Sequence, residues 1–302
     1  MEYELTGSVT SRDGARLFWG ERGKNQSSKY SIVLCDGIAC DGFAWKYIQP
    51  ALSAHHRVLH WHYRGHGRSE DPGDPERIDV PSHAEDLLDI LKARSIEEAV
   101  VIGHSMGTQV ALELYRIAPW LIRGMVLLCG SDGRITASFH GSDWLEKNLP
   151  RLIEWAEKRQ RALRAIWRRV PTGLAYAFAS LLGEINADAL SKKDFALYHE
   201  HVTKLNPLLF LRMLEKAGQH SAKDVLNSIQ VPVLVIAGDL DTFTPPERSR
   251  EMAKAIPGAE FVLIRGATHA APVEYPDIVI QEITRFLNER VEKSENKKEI
   301  PQ

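Results

Sequence analysis

Five residues, Gly103-His104-Ser105-Met106-Gly107, carry the arrangement in this sequence most able to do chemistry. They separate a β-branched run, Ala99-Val100-Val101-Ile102, from an amphipathic stretch over residues 108–115. A serine with glycines two positions before and after it, between a buried strand and a helix, has the pattern of a nucleophile elbow. The turn is tight enough that side chains at the two flanking positions would collide, so glycine fits both. The serine is forced into a strained conformation that lifts its hydroxyl clear of the sheet. It also lies at a helix N-terminus, where free N–H groups favour negative charge. Alone the pattern is weak: with Gly and Ser each near ~7% of residues, three fixed positions recur by chance in roughly one chain in ten of this length. A base and an acid elsewhere in the chain must support it.

A serine hydroxyl is a poor nucleophile unless a neighbouring imidazole takes its proton. A carboxylate then fixes the tautomer of that imidazole and stabilises it once charged. In an open parallel sheet such groups gather beyond the carboxyl ends of the strands. The run Val233-Leu234-Val235-Ile236-Ala237 leads into Gly238-Asp239-Leu240-Asp241, and Phe261-Val262-Leu263-Ile264 leads into Arg265-Gly266-Ala267-Thr268-His269. The order Ser105, Asp241, His269 is one of the chain orders in which a Ser-His-Asp triad occurs. Asp239, two residues from Asp241, projects elsewhere.

The elements that must hold these residues alternate. Strand-like runs cover residues 16–20, 31–35, 57–61, 99–102 and 124–129, and helical spacing covers 43–54, 80–93 and 106–118. A loop rich in Gly, Pro and Asp spans 65–75. Repeated strand–helix units imply a parallel sheet covered on both faces. The rhythm stops from about 132 to 228, where the pattern is helical, and resumes with strands at 231–237 and 260–264 and helices from 247 and from 278 to about 292. The helical block reads as an insertion between two strands of one sheet, lying over one edge of it. The charged tail, 293–302, is expected to be disordered.

The chain has 302 residues and a formal net charge of −2, which gives no general argument for nucleic acid or membrane binding. Met1-Glu2-Tyr3-Glu4-Leu5 has acidic residues where a signal peptide carries basic ones, and no apolar run reaches the ~18 residues of a transmembrane helix. The expectation is a cytoplasmic protein. Its three cysteines, Cys35, Cys40 and Cys129, lack metal-type spacing, and Cys35 and Cys129 lie in strand-like runs as buried thiols.

At these residues the sequence resembles the α/β-hydrolase superfamily, in its capped esterase and lipase-like branch, over about residues 12–290. Gly103-His104-Ser105-Met106-Gly107 matches the family elbow, and Arg64-Gly65-His66-Gly67-Arg68-Ser69 looks like the loop after its fourth strand. Gly238-Asp239-Leu240-Asp241 with Pro245 looks like its acid loop, which places the acid at Asp241. Gly266-Ala267-Thr268-His269 with Glu274 and Pro276 resembles its histidine loop. The resemblance implies a mostly parallel eight-stranded sheet with helices on both faces and a helical cap inserted after the sixth strand. The core would be residues 1–131 and 229–292, and the cap 132–228. It implies a serine hydrolase of a small to medium, apolar carboxylic ester, with Ser105 as nucleophile, His269 as base and Asp241 orienting it. The backbone N–H groups of Ile38 and Met106 would form the oxyanion hole, and neither cofactor nor metal is needed. The sequence departs from the family at Asp36-Gly37-Ile38, where His-Gly is usual, and at Trp61-His62-Tyr63. Asp132 occupies a place that some relatives use for the acid.

Other readings stand beside this one. The same triad serves thioesterases, lactonases, carbon–carbon bond hydrolases and cofactor-free haloperoxidases, and fold does not choose among them. Ser at position 105 disfavours a dehalogenase or epoxide hydrolase, whose nucleophile is Asp. A hydrolase-fold binding protein with little turnover is the rival from another class. His55, His56, His60, His62 and His66 invite a metal reading, but no Cys or carboxylate set accompanies them, and they read as loop and strand-end residues. Residues 151–170 hold an apolar helical stripe, with seven basic side chains against Glu154 and Glu157. The stripe reads as a cap helix over the site, and in the second reading as a basic amphipathic helix making weak contact with an anionic membrane surface. The block's Trp144, Trp155, Trp167, Tyr176, Phe178, Phe195, Tyr198 and Phe210 suit an apolar acyl or alkyl group. The sequence does not fix an oligomeric state.

Overall fold

The computed structural model describes residues 1–23, 29–137 and 139–293, so most of the tail lies outside the described residues. Its strands are β1 (Leu5–Thr10), β2 (Arg16–Arg22), β3 (Ser31–Cys35), β4 (Val58–Trp61), β5 (Ala99–His104), β6 (Ile122–Leu128), β7 (Val233–Gly238) and β8 (Glu260–Ile264). They form one sheet in the order β1-β2-β4-β3-β5-β6-β7-β8. Only the β1–β2 and β2–β4 pairs are antiparallel. The central strands β3, β5 and β7 are buried along their whole length, as continuous apolar runs must be when both faces are covered. Residue alternation divides the core in two. Val33, Val101, Leu127 and Val235 join one cluster, and Ile32, Ile102, Val126 and Leu234 join the other.

The helices of the sheet's two faces are α1 (Ile48–Ser53), α2 (Val80–Ala93), α3 (Met106–Ile117), α9 (Pro246–Ala255), the short α10 (Ala271–Glu274) and α11 (Pro276–Phe286), with the helical block between β6 and β7. Leu87 and Leu91 of α2, Val110 and Leu114 of α3 and Met252 of α9 pack with the first cluster. Ile48 and Leu52 of α1 and Val279, Ile283 and Phe286 of α11 pack with the second. The expected helix over 43–54 is interrupted: a single 3₁₀ turn, Phe43–Trp45, precedes α1. From the break, Lys46 and Tyr47 reach Asp194 in the helical block.

The block comprises α4 (Trp144–Glu157), α5 (Gln160–Trp167), α6 (Thr172–Leu181), α7 (Lys192–Lys204) and α8 (Pro207–Gln219). The stripe over 151–170 is therefore two helices and not one. Leu149, Ile153 and Ala156 of α4 bury against Leu208 of α8. The break at Lys158-Arg159 lets α5 turn its own apolar side, so that Leu163 joins that cluster and the Trp167 indole N–H donates to the Val202 carbonyl at 2.7 Å. The edge that the block covers is the carboxyl-terminal one. Asp194 and His201 of α7 meet the loop after β3, where His201 Nδ1 lies 2.9 Å from Asp41 Oδ2. Leu209 of α8 packs on Gly65 after β4, and the Asn186 N–H donates to Glu274 at 2.7 Å. No helix among the described residues is long and apolar enough to cross a membrane.

The β5–α3 turn sets the tightest packing. A Cβ on Gly103 would lie 2.2 Å from the Gly107 carbonyl oxygen, and one on Gly107 would lie 2.1 Å from the Cys35 oxygen. The second collision is with the end of β3, so the glycines answer to two separate neighbours. Because both obstacles are backbone, Gly107→Ala is expected to lower the free energy of unfolding in urea by about 1–3 kcal/mol. Gly173→Ala in α6, whose Cβ would meet nothing within 4 Å, is the control and should lose nothing.

Candidate active site

Ser105 occupies the N-cap of α3 with φ 56° and ψ −120°. Such a conformation costs a non-glycine residue about 1–3 kcal/mol. The turn is held by hydrogen bonds from Ser105 N to the Leu128 carbonyl and from Thr108 N to the Ser105 carbonyl, both 3.0 Å. Asp79, Ser191 and Asn206 cap their own helices, Ser191 doing so for α7 by accepting from Asp194 N. Ser105 makes no such bond. Its hydroxyl lies 2.9 Å from His269 Nε2.

His269 follows β8 and is joined through Nδ1 to Asp241 Oδ2, also at 2.9 Å. A carboxylate only accepts, so Nδ1 carries the proton and Nε2 is left to accept from Ser105. Asp241 is buried and fully engaged. Its Oδ1 accepts from the Phe243 and Thr244 N–H groups, and its Oδ2 from the Thr244 hydroxyl. Burial opposes a charged imidazole, but the charge and hydrogen bond of Asp241 outweigh it, so the His269 pKa is raised above the ordinary histidine value. The structure thus brings Ser105, His269 and Asp241 into one hydrogen-bonded chain. Asp239 turns away and accepts from Gly266 N at 2.6 Å, tying the acid and histidine loops together. Asp132 lines a different pocket, with Arg134, Asp143 and Arg248.

Beside Ser105, a Cβ on Gly37 would come within 3.0 Å of the Ser105 Cβ and 3.4 Å of its Oγ. The backbone then passes through Ile38 to Ala39, at φ 62°. Ala39 N–H donates to His66 Nε2 at 3.1 Å, and His66 Nδ1 donates to the Arg64 carbonyl. Burial pushes the His66 pKa down to about 4, so this strut stays neutral near pH 7. No hydrogen bond among the described residues engages the N–H of Ile38 or Met106. Arg64 is buried and clamps Asp86 through two 2.6 Å bonds, which anchors the loop carrying His66.

Thr244, Phe243 and Phe139 escape sequence reasoning, and Glu274, part of the histidine-loop pattern, has a role that the pattern does not reveal. Thr244 holds Asp241, and its position three residues after an Asp is the spacing of a local side-chain turn. Glu274 accepts from Thr268 N and Oγ1 next to His269, and from Asn186 N of the helical block. The ring of Phe243 lies 5.1 Å from that of His269, with Phe139 4.8 Å beyond. Neither aromatic has a signal in the sequence.

Residues 30–276 match the family described as alpha/beta hydrolase fold. The chain belongs to the α/β-hydrolase family. It is 27% identical over 267 residues to polyketide synthase ThaQ of Burkholderia thailandensis, covering 87% of this chain but only 12% of ThaQ. It is 27% identical over 284 residues to 3-oxoadipate enol-lactonase 1 of Acinetobacter baylyi, with 92% of this chain and 96% of that protein covered. The crystal structure of the enol-lactonase from Burkholderia xenovorans LB400 superposes with a TM-score of 0.74 at 25% identity, covering 94% of this chain and all (100%) of the other.

In this α/β hydrolase the departure at Asp36 has a structural partner. Asp36 is buried and accepts from His60 Nε2 at 2.8 Å, and the Tyr3 hydroxyl donates to His60 Nδ1 at 2.7 Å. Burial, followed by the charge of Asp36, pushes the Tyr3 phenol pKa up, so Tyr3 stays a donor. Tyr63 adds a bond from its hydroxyl to the Asp36 carbonyl, also 2.7 Å. His60 is thus bound between Tyr3 and Asp36, and His62 accepts from Arg68 N. Among the described residues no group of three or more His, Cys, Asp or Glu side chains is placed to hold a metal ion. Removing the carboxylate leaves a buried donor unsatisfied, so Asp36→Ala should cost about 2–3 kcal/mol in urea unfolding and Tyr3→Phe about 1. Equal, negligible losses would show that the chain Tyr3–His60–Asp36 contributes nothing.

Proposed function

We propose that this α/β hydrolase cleaves a carboxylic ester through an acyl-enzyme on Ser105. The observation that carries the reading is the hydrogen-bonded chain from Ser105 through His269 to Asp241, with a serine held off its own helix cap. His269 Nε2 takes the hydroxyl proton as Ser105 Oγ attacks the carbonyl carbon. The oxyanion accepts from the Ile38 and Met106 N–H groups, and such donors supply a large part of the rate in sites of this kind. His269 returns its proton to the leaving alcohol, whose C–O bond breaks. Water, deprotonated by His269 in turn, then releases the acid from Ser105.

The alkyl and acyl groups would lie under the helical block, which we assign as a cap over residues 132–228. Phe139, Phe243 and the Phe43–Tyr198 pair, 5.4 Å apart, support an apolar substrate. The enol-lactonase relatives favour a cyclic ester as the second reading, since a lactone presents the same acyl carbon and oxygen leaving group.

A series of p-nitrophenyl esters of increasing chain length, with a lactone beside it, tests the proposal. Turnover should appear on short to medium acyl chains and vanish in Ser105→Ala. Turnover retained in Ser105→Ala, or absent from every ester and lactone, would overturn it. Asp241→Asn should lower kcat by about 10⁴-fold with the fold intact.

The pH profile gives a separate check. The base must be neutral, so kcat/KM should fall as pH drops through the raised His269 pKa, above the ordinary value of about 6.5. Without the carboxylate that raises it, the limb in Asp241→Asn should move to lower pH. A limb at the same pH in both proteins would mean another group titrates.

A further inference from the structure

We propose that α5 and α6 form a docking surface for an anionic phospholipid bilayer. Among the described residues, nine of the fifteen exposed large hydrophobic side chains fall between Trp144 and Leu197. The most exposed row is on α6, where Leu174 is 64% exposed, Phe178 60% and Leu181 82%, with Leu182 just past its end. These positions follow i, i+4, i+7 and i+8, so they share one face. The helix already has a partly buried side: Ala175, Tyr176 and Ala179 pack against Ile185, Leu190, Phe195 and Val273. A surface helix normally turns polar residues outward. This one turns a second apolar face outward, and residues 171–183 contain no charged side chain.

The preceding helix supplies the charge. Arg159, Arg161, Arg164, Arg168 and Arg169 lie in and around α5, a four-residue connection before α6. Among the described residues none of Arg161, Arg164 and Arg168 pairs with a carboxylate, and all are exposed. The arginines sit in a chain whose net charge is −2, so the positive charge is segregated here. An apolar row for the acyl boundary, joined by that short connection to unpaired cations for phosphate and carboxylate headgroups, matches an anionic bilayer surface. A second copy of this chain fits poorly, because pairing the two apolar rows would bring like arginine clusters together. A nucleic acid would leave the apolar row unused.

Docking would place the bilayer near the site. The inner face of α6 packs on Val273 of α10, four residues after His269. The surface itself does not depend on the esterase reading, and its test needs no turnover.

The experiment is co-sedimentation of the full chain with phosphatidylcholine vesicles, with and without phosphatidylserine. The wild type should sediment with the mixed vesicles and far less with phosphatidylcholine alone. The variant R161Q/R164Q/R168Q should partition roughly a hundredfold less onto the anionic vesicles, and L174S/L181S should bind neither kind. Both variants should keep the wild-type far-UV circular dichroism and, if the esterase reading holds, its turnover of a soluble short-chain ester. A wild type that stays in the supernatant with phosphatidylserine present, or variants that sediment as it does, would overturn the proposal. So would a wild-type dimer in sedimentation velocity that L174S/L181S converts to monomer, since the apolar row would then belong to a second copy.

Discussion

The backbone at Ser105 exists in its strained form because three chain segments meet with no room for a Cβ. Gly103 abuts Gly107, Gly107 abuts the end of β3, and Gly130 abuts Thr108, where an added Cβ would lie 2.2 Å from the hydroxyl oxygen. The buried strands β3, β5 and β6 fix those contacts, and the energy of the core sustains the local strain. Relaxing the turn would let the serine hydroxyl cap α3, as Ser191 caps α7. The site's geometry is therefore a consequence of sheet packing at the carboxyl ends of neighbouring strands.

Electrostatics at these strand ends follow the same economy of partners. Asp241 and Asp36 are both buried, and each carboxylate accepts from an imidazole. Only the first imidazole reaches the Ser105 hydroxyl. Next to it, His104 donates from Nε2 to the His269 carbonyl, and burial, with His269 close by, depresses its pKa to about 3. The elbow histidine is thus a neutral support for the loop that carries His269. Glu274 extends this support outward, since burial raises its carboxyl pKa and it binds both the histidine loop and the helical block.

Much of this was legible in the sequence because buried parallel strands write themselves as short apolar runs. The expected strands at 31–35 and 260–264 and the helix at 80–93 have the observed bounds. The edge strand β1 has no such run: its residues are mostly exposed, and only pairing with β2 defines it. Ser105, Asp241 and His269 could be picked out because each follows a strand of this kind. The helical block was less readable, since periodicity reports that a helix has an apolar side and not what that side meets. The stripe over 151–170 mixed the faces of two helices, both packing on α8. The aromatics near the site, Phe139 and Phe243, lie in loops with no period to reveal them. Asp36 looked like a defect in a family pattern, and its partners, Tyr3 and His60, are distant in sequence and adjacent only across the sheet.

The block between β6 and β7 has two different surfaces. Its inner surface ties the loops after β3, β4 and β8 together through His201, Leu209 and Asn186. Its outer surface carries the apolar row of α6 and the arginines of α5. The proposed reaction depends on the nucleophilicity of one hydroxyl, that of Ser105. It is tested most directly by treating the protein with a fluorophosphonate and locating the adduct by peptide mass spectrometry. One phosphonyl group is expected, on Ser105, absent from Ser105→Ala. Labelling at another residue, or no labelling of the folded protein, would contradict it.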